Sequence, residues 1–168
     1  MGKYQQINVS PLSSAIDAEI GNVGISKDLS STVITEIRSA LLDHLVIFFR
    51  DQDLSNPERH KFFTKYFGDL FIHPNFNLGQ NNPEMVYLTR KPGDTAAAGE
   101  RLHADTTMMK NPPIEAILFA LEVLEWGGDT LFANQYMGFE ILSLGMKKLL
   151  MSSKQSIMNH ALRALPLA

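Results

Sequence analysis

His103 and Asp105 stand two positions apart in the run RLHADTTMMKNPP, from Arg101 to Pro113. An imidazole nitrogen and a carboxylate oxygen aimed at one point suit a hard-to-borderline divalent ion. Two histidines and one carboxylate on one face, with open positions opposite, is the arrangement of non-haem Fe(II) oxygenases. If the run is a strand, residues i and i+2 share a face and the two side chains project together. The spacing by itself fits a hydrogen-bonded surface pair better than part of a metal centre.

The elements that would carry this pair can be read from periodicity. SSTVITEIRSALLDH predicts a helix, with Ser31 as its N-cap and Val33, Ile37 and Leu41 at helical spacing. LVIFFR follows as a short buried strand. DQDLSNPERHKFFTKYFGDL holds a second helix. Ser55-x-x-Glu58 has the form of a capping box, Pro57 lies in the first turn, and Gly68 is a natural stop. Phe62, Phe63, Tyr66 and Phe67 give that helix an apolar face. MVYLTR, from Met85 to Arg90, and the run from His103 to Met108 read as strands, with KPGDTAAAGER as a loop between them. IEAILFALEVLEW favours helix by composition and strand by its position between Pro-Pro and Gly-Gly. GGDTLFAN is a turn feeding a strand. A third helix is expected from Gln135 to Leu150, with Asn134 as a cap. Helices in the first half and strands in the middle give an α+β chain.

Composition narrows the function classes. At 168 residues and 45% hydrophobic the chain has the makings of one domain with a real core. The formal charge of −3 and the lack of a Lys/Arg block argue against a nucleic-acid partner or an anionic membrane surface. With no cysteine there are no disulfides, thiolate sites or thiol nucleophile. The start MGKYQQINVSP lacks the pattern of a secretory signal, and Leu45 to Phe49, the longest apolar run, cannot span a bilayer. A cytoplasmic soluble protein is expected.

The wider sequence adds what the pair lacks. ERLHADTTMMKNPPIEAILFALEVLEWGGDTLFANQYMGFEILS resembles the taurine dioxygenase (TauD/TfdA) family of Fe(II)/2-oxoglutarate-dependent dioxygenases. DAEIGNVGISKDLS, ALLDHLVIFFRDQDLS and FFTKYFGDLFIHPN match upstream segments of that family in order, so the resemblance runs from about residue 5 to about residue 150. It implies a double-stranded β-helix, or jelly roll, with flanking helices. It implies His103 and Asp105 as ligands of Fe(II), and Thr130, in Gly127-Gly128-Asp129-Thr130, as a hydroxyl donor to the far carboxylate of 2-oxoglutarate. His73, in IHPNF, matches a position that contacts the anionic head of the substrate in sulfonate users, and Phe76 falls where those enzymes may carry Tyr. The implied reaction is hydroxylation of a small, anionic, taurine- or sulfonate-like molecule by O2, with 2-oxoglutarate converted to succinate and CO2. A homo-oligomer is expected.

The sequence also departs from the family. His60 reads as solvated on its helix, His44 as a capping or packing residue, and His160 as a tail residue that is not the distal ligand. Leu102 stands where the family has Trp, and Leu124 where it often has Pro. The family's second His ligand, and the Arg that pairs with 2-oxoglutarate, lie further along than Ala168. Arg163 is in the wrong context to replace that Arg. Residues from about 151 to 168 leave the family pattern. The expectation is one incomplete, apparently truncated jelly-roll domain over 1–168. The alternative is a non-catalytic remnant lacking the distal His and the Arg. Half a sheet of this kind would leave edges that invite association.

Overall fold

The computed structural model describes residues 2–73, 81–91, 93–94, 99, 101–107 and 109–153. Phe76, His160, Arg163, most of the KPGDTAAAGER loop and the divergent tail beyond Ser153 lie outside the described residues. The chain divides into two compact units: Met1–Leu70 with Leu118–Glu140, and Phe71–Ile117 with Ile141–Ala168.

The first unit is built on a small sheet. Strand β1 (Asn8–Pro11) pairs antiparallel with β2 (Ala18–Gly21), and β2 pairs in parallel with β3 (Ile47–Phe48). The register sets Val9 opposite Ile20 and Ala18 opposite Ile47. The turn between β1 and β2 is tied by Ser13, whose Oγ accepts from the Ile16 amide at 3.1 Å. Pro11 is tolerated because β1 lies at the edge of the sheet, where a missing N–H breaks no ladder. These two strands were not anticipated, since four mostly polar residues around a proline carry little strand signal. A parallel pair needs a crossover, and helix α1 (Ser31–His44) provides it.

Helix α1 forms where its periodicity places it, but its N-cap is Ser30 rather than Ser31. The Ser30 Oγ accepts from the Val33 amide at 3.3 Å. It ends at Leu45, at φ +65, whose N–H donates to the Leu41 carbonyl. Its inner face carries Ile37 and Ala40, which with Ile7 and Ile20 form the buried core. Val9, Val33, Ile47, Phe49 and Phe67 pack around them. Helix α2 (Pro57–Lys65) also forms as read, with Pro57 at its start. The expected capping box does not form. Asn56 Oδ1 caps the Glu58 amide at 2.9 Å, while Ser55 turns back to Asp53 at 2.6 Å. Asn one residue nearer the helix outcompetes Ser for the same orphan donors. Phe63 is buried, and its ring meets Phe49 edge-on at 6.0 Å, but Phe62 stays half exposed. His60 is half-buried with its ring 6.5 Å from that of Phe119, and is not the solvated residue expected.

Carboxylates fasten the N-terminal segment to α1. Burial works against the charge on Glu36, but the amides of Gln5, Gln6 and Ile7 all donate to it and hold its carboxyl below the usual glutamate range. Asp43 is lowered by hydrogen bonds from Lys3 and then Tyr4. Burial and that same contact push the Tyr4 phenol up to about 12.

Further along the chain the structure differs from the sequence reading. Met85–Arg90, 103–107 and 130–134 contain no strand among the described residues, and 114–126 is neither helix nor strand. From 112 to 120 exposure still alternates residue by residue, the signature of extended chain. A strand, however, is defined by pairing, and no ladder partner meets these segments among the described residues. The expected third helix is two: α3 (Gln135–Glu140) and α4 (Leu144–Ser152). Asn134 begins the first as expected, accepting from the Met137 amide at 3.0 Å. Ser143 begins the second, accepting from Met146 at 3.3 Å, so a second cap interrupts the helical pattern. Every buried hydrophobic among the described residues lies between Ile7 and Phe63, while Ile114 and Trp126 are 93% and 84% exposed. No helix of the described residues is long and apolar enough to cross a membrane.

Candidate metal centre

His103 and Asp105 lie in a turn-containing loop of the second unit, not on a strand. Residues 105–107 lie in turn conformation, and the Met109 amide donates to the Thr106 carbonyl at 3.0 Å. Thr106 takes φ +51, which no strand residue can adopt, and this is why the expected strand is absent. The juxtaposition expected of a strand is nonetheless present. His103 Nε2 is 3.2 Å from Asp105 Oδ1.

The protonation of the ring follows from its other contact. Nδ1 lies 2.6 Å from the Arg101 carbonyl oxygen, which can only accept, so Nδ1–H is the donor. In the neutral ring Nε2 then carries the lone pair, and it faces a carboxylate oxygen. Two acceptors at that distance repel unless a proton or a cation lies between them. A backbone carbonyl fixing Nδ1–H is also the usual way a metal-binding imidazole is oriented. Two ligands about 2.0–2.2 Å from one ion, at right angles, are separated by about 2.8–3.1 Å. The observed 3.2 Å is close to that bite. The donor types, ring tautomer and separation therefore fit two adjacent coordination positions of a divalent metal. Both side chains are open to solvent, at 52% and 78% exposure. Among the described residues no third His, Cys, Asp or Glu joins them.

The other residues singled out by sequence take different places. Thr130 is exposed in the first unit and follows Gly127 and Gly128, which take φ +78 and +77 in irregular backbone. A Gly-Gly turn was expected; no hydrogen-bonded turn forms at 127–128, though both residues take the positive φ that glycine permits. His73, in the second unit, is half-buried with its ring edge-on to Phe71 at 6.1 Å. Two residues beside the pair carried no sequence signal. Gly99, at φ +83, would place a Cβ 3.6 Å from the His103 ring, so its backbone lies against the imidazole. Thr106 follows Asp105 directly and is buried. A Thr-Thr pair after an aspartate reads only as a strand or turn, so nothing marks one hydroxyl as special.

Comparison with known proteins places this geometry in context. Residues 8–160 match the family described as taurine catabolism dioxygenase TauD, TfdA. The chain is 34% identical over 139 residues to an alkylsulfatase of Acinetobacter baylyi, covering 82% of this chain and 43% of that protein. It is 29% identical to an alpha-ketoglutarate-dependent sulfate ester dioxygenase of Pseudomonas putida, covering 86% of this chain and 47% of that one. The crystal structure of a taurine dioxygenase from Burkholderia xenovorans superposes with a TM-score of 0.74 at 30% identity, over 88% of this chain and 52% of the other. The chain thus spans about half the length of the relatives it matches.

Proposed function

We propose a function from one premise: the chain belongs to the TauD, TfdA family of taurine catabolism dioxygenases. It acts, in this reading, as the metal-carrying N-terminal part of an Fe(II)- and 2-oxoglutarate-dependent dioxygenase of jelly-roll type. The substrate is a small anionic organosulfur molecule, a sulfonate or sulfate ester. The names of the matched relatives support that class, which includes sulfate esters in one case and taurine in another. When bound, Fe(II) with 2-oxoglutarate supplies the oxidising chemistry: O2 is consumed, 2-oxoglutarate leaves as succinate and CO2, and the substrate gains a hydroxyl oxygen.

The chain's own residues bind and orient. His103 Nε2 and Asp105 Oδ1 would hold the ion in two neighbouring positions, with the Arg101 carbonyl fixing the ring. Thr130 would donate its hydroxyl to the far carboxylate of 2-oxoglutarate. His73, with Phe76 near it in sequence, would meet the anionic head of the substrate, where an imidazole can donate from either nitrogen. The observation that carries the proposal is the approach of His103 and Asp105 within a bite that one divalent ion can span.

The test is an anaerobic titration of the chain with Fe(II), then with 2-oxoglutarate. A visible charge-transfer band that requires both additions and disappears in His103→Ala is the expected result. A band of equal strength in His103→Ala, or none in the wild-type chain, would remove the proposal. A second reading, a chain that binds metal weakly without turnover, is favoured by the exposure of the pair and the lack of a third donor among the described residues. Succinate release on admission of O2 separates the two.

A further inference from the structure

We infer that a second copy of this chain covers the span from Leu118 to Trp126, and that the covering element is that copy's helix α4. The span belongs to the first unit. Near its start the Phe119 ring lies 6.5 Å from that of His60. Beyond its end the Asn134 side-chain amide donates to the Ala15 carbonyl at 2.5 Å. Every residue between those two anchors, from 120 to 133, is exposed. Leu121, Val123, Leu124 and Trp126 are 62–84% exposed, and Leu118, just before the first anchor, is 69% exposed. The backbone is thus held at both ends while its large apolar side chains meet only water. Neither surface includes His103, Asp105 or Thr130, so association and metal binding can be lost separately.

Helix α4 has the same need in the second unit. Leu144, Met146, Leu149, Leu150 and Met151 are 45–79% exposed, and none of its nine residues is buried. A helix this short is marginal in water and is ordinarily held by packing of its apolar face. The two surfaces carry opposite charge. Glu122 and Glu125 bracket Val123 and Leu124, and residues 118–134 include three acidic side chains and no basic one. Helix α4 carries Lys147 and Lys148 and no acidic residue. Two spans face to face, or two α4 helices, would oppose like charges, whereas span on helix pairs opposite ones. The area is also sufficient. A large apolar side chain presents on the order of 100 Å² when fully exposed. The ten side chains named, about two-thirds exposed, present on the order of 700 Å² per copy, close to the roughly 800 Å² per partner of a stable interface. Each copy offers one span and one helix, so a reciprocal exchange covers both surfaces on both copies.

The experiment is analytical ultracentrifugation of the full chain from about 1 μM to about 100 μM. Fluorescence of Trp126, the chain's single tryptophan, is read over the same range. The expected result is a mass rising from monomer to dimer while Trp126 emission moves to shorter wavelength. Trp126→Ala should weaken the dimer by about thirtyfold, as for a central aromatic anchor. Glu122→Lys with Glu125→Lys should weaken it by about tenfold, and so should Lys147→Glu with Lys148→Glu. A one-to-one mixture of those two double variants should dimerise as the wild type does, because opposite charges then meet at both contacts. A chain still monomeric at about 100 μM would overturn the inference. So would a monomer whose Trp126 emission is already shifted at every concentration, since a segment of the same chain would then cover the span. A dimer indifferent to both charge reversals, or reversed variants that stay apart on mixing, would place the contact elsewhere and overturn it as well.

Discussion

Replacing Ile37 by alanine tests whether the first unit has a closed core. Ile37 is fully buried on the inner face of α1, against a cluster that includes Ile7, Ile20 and Ala40. The change removes three carbons. At about 0.8 kcal/mol for each buried methylene, the lost transfer term is about 2.4 kcal/mol. The three carbons leave on the order of 80 Å³, and at about 24 cal/mol per Å³ an uncollapsed cavity adds at most about 2 kcal/mol. Partial collapse brings the expected loss to about 3–4 kcal/mol. Urea unfolding followed by far-ultraviolet circular dichroism reads this directly. With a slope of about 2 kcal/mol per molar urea, the midpoint falls by about 1.5–2 M at unchanged slope. Two controls bracket the result. Ile37→Val should cost about 0.5–1.5 kcal/mol. Leu42→Ala lies on the same helix but is 79% exposed, and should stay within about 0.5 kcal/mol. A loss below about 1 kcal/mol for Ile37→Ala, or an equal loss for Leu42→Ala, would refute the packing described, because both would then answer only to helix propensity.

Asp105→Asn should leave the metal-free chain within about 0.5 kcal/mol of wild type, since an exposed pair contributes little, yet abolish Co(II) binding at concentrations that saturate the wild type; urea unfolding and Co(II) absorption check the two halves separately. Glu36→Gln should destabilise the chain at neutral pH, and the gap from wild type should close in acid. The folded Glu36 carboxyl lies below its unfolded value of about 4.3, so its contribution is complete above that value and is lost as pH falls through the folded one; a gap constant down to pH 2 would contradict this. Asn56→Ala should cost about 1 kcal/mol by removing the cap of α2, whereas Ser55→Ala should cost less, and a reversed order in thermal unfolding would restore Ser55 as the cap. Thr130→Val should weaken 2-oxoglutarate by about tenfold, the worth of a hydrogen bond to a charged group, while changing metal affinity less; equal 2-oxoglutarate affinity in a titration of the metal-loaded protein would remove Thr130 from the site.

How far each feature could be read from sequence depends on how far along the chain its cause lies. Helices α1 and α2 are legible because their signals are local: apolar spacing around Ile37 and Phe63, and caps within a residue or two of those observed. The caps were displaced by one residue in both cases, because Ser30 and Asn56 compete with the neighbouring Ser31 and Ser55 and composition cannot choose between them. Strands β1 and β2 were not legible. They owe their existence to each other and to α1, and Asn8–Pro11 alone favours no strand. The segments around Val86, Leu118 and Leu131 show the opposite failure. The residues around Val86 and Leu131, and the position of those around Leu118, suit strands, but a ladder needs a partner that local sequence does not supply, and all three side chains are exposed.

The approach of His103 and Asp105 escapes that dependence. His103 and Asp105 meet through the backbone of the residues immediately around them, with the Arg101 carbonyl and the turn at Thr106 setting their directions. Strand geometry was therefore the wrong reason for a juxtaposition that a turn also produces. A two-residue spacing brings side chains together in extended backbone, and here it does so with the ring oriented from one side and a left-handed residue following the carboxylate. What spacing could not reveal is the cost of that arrangement. The buried hydroxyl and the strained backbone of Thr106 become visible only in three dimensions. Strain adjoining a ligand-like pair is the point at which local propensity gives way to chemistry. The two donors are near neighbours in sequence, so their approach owes nothing to sheet closure. Any further donor would have to come from outside this turn, and its arrival would depend on the long-range pairing that the local sequence leaves undetermined.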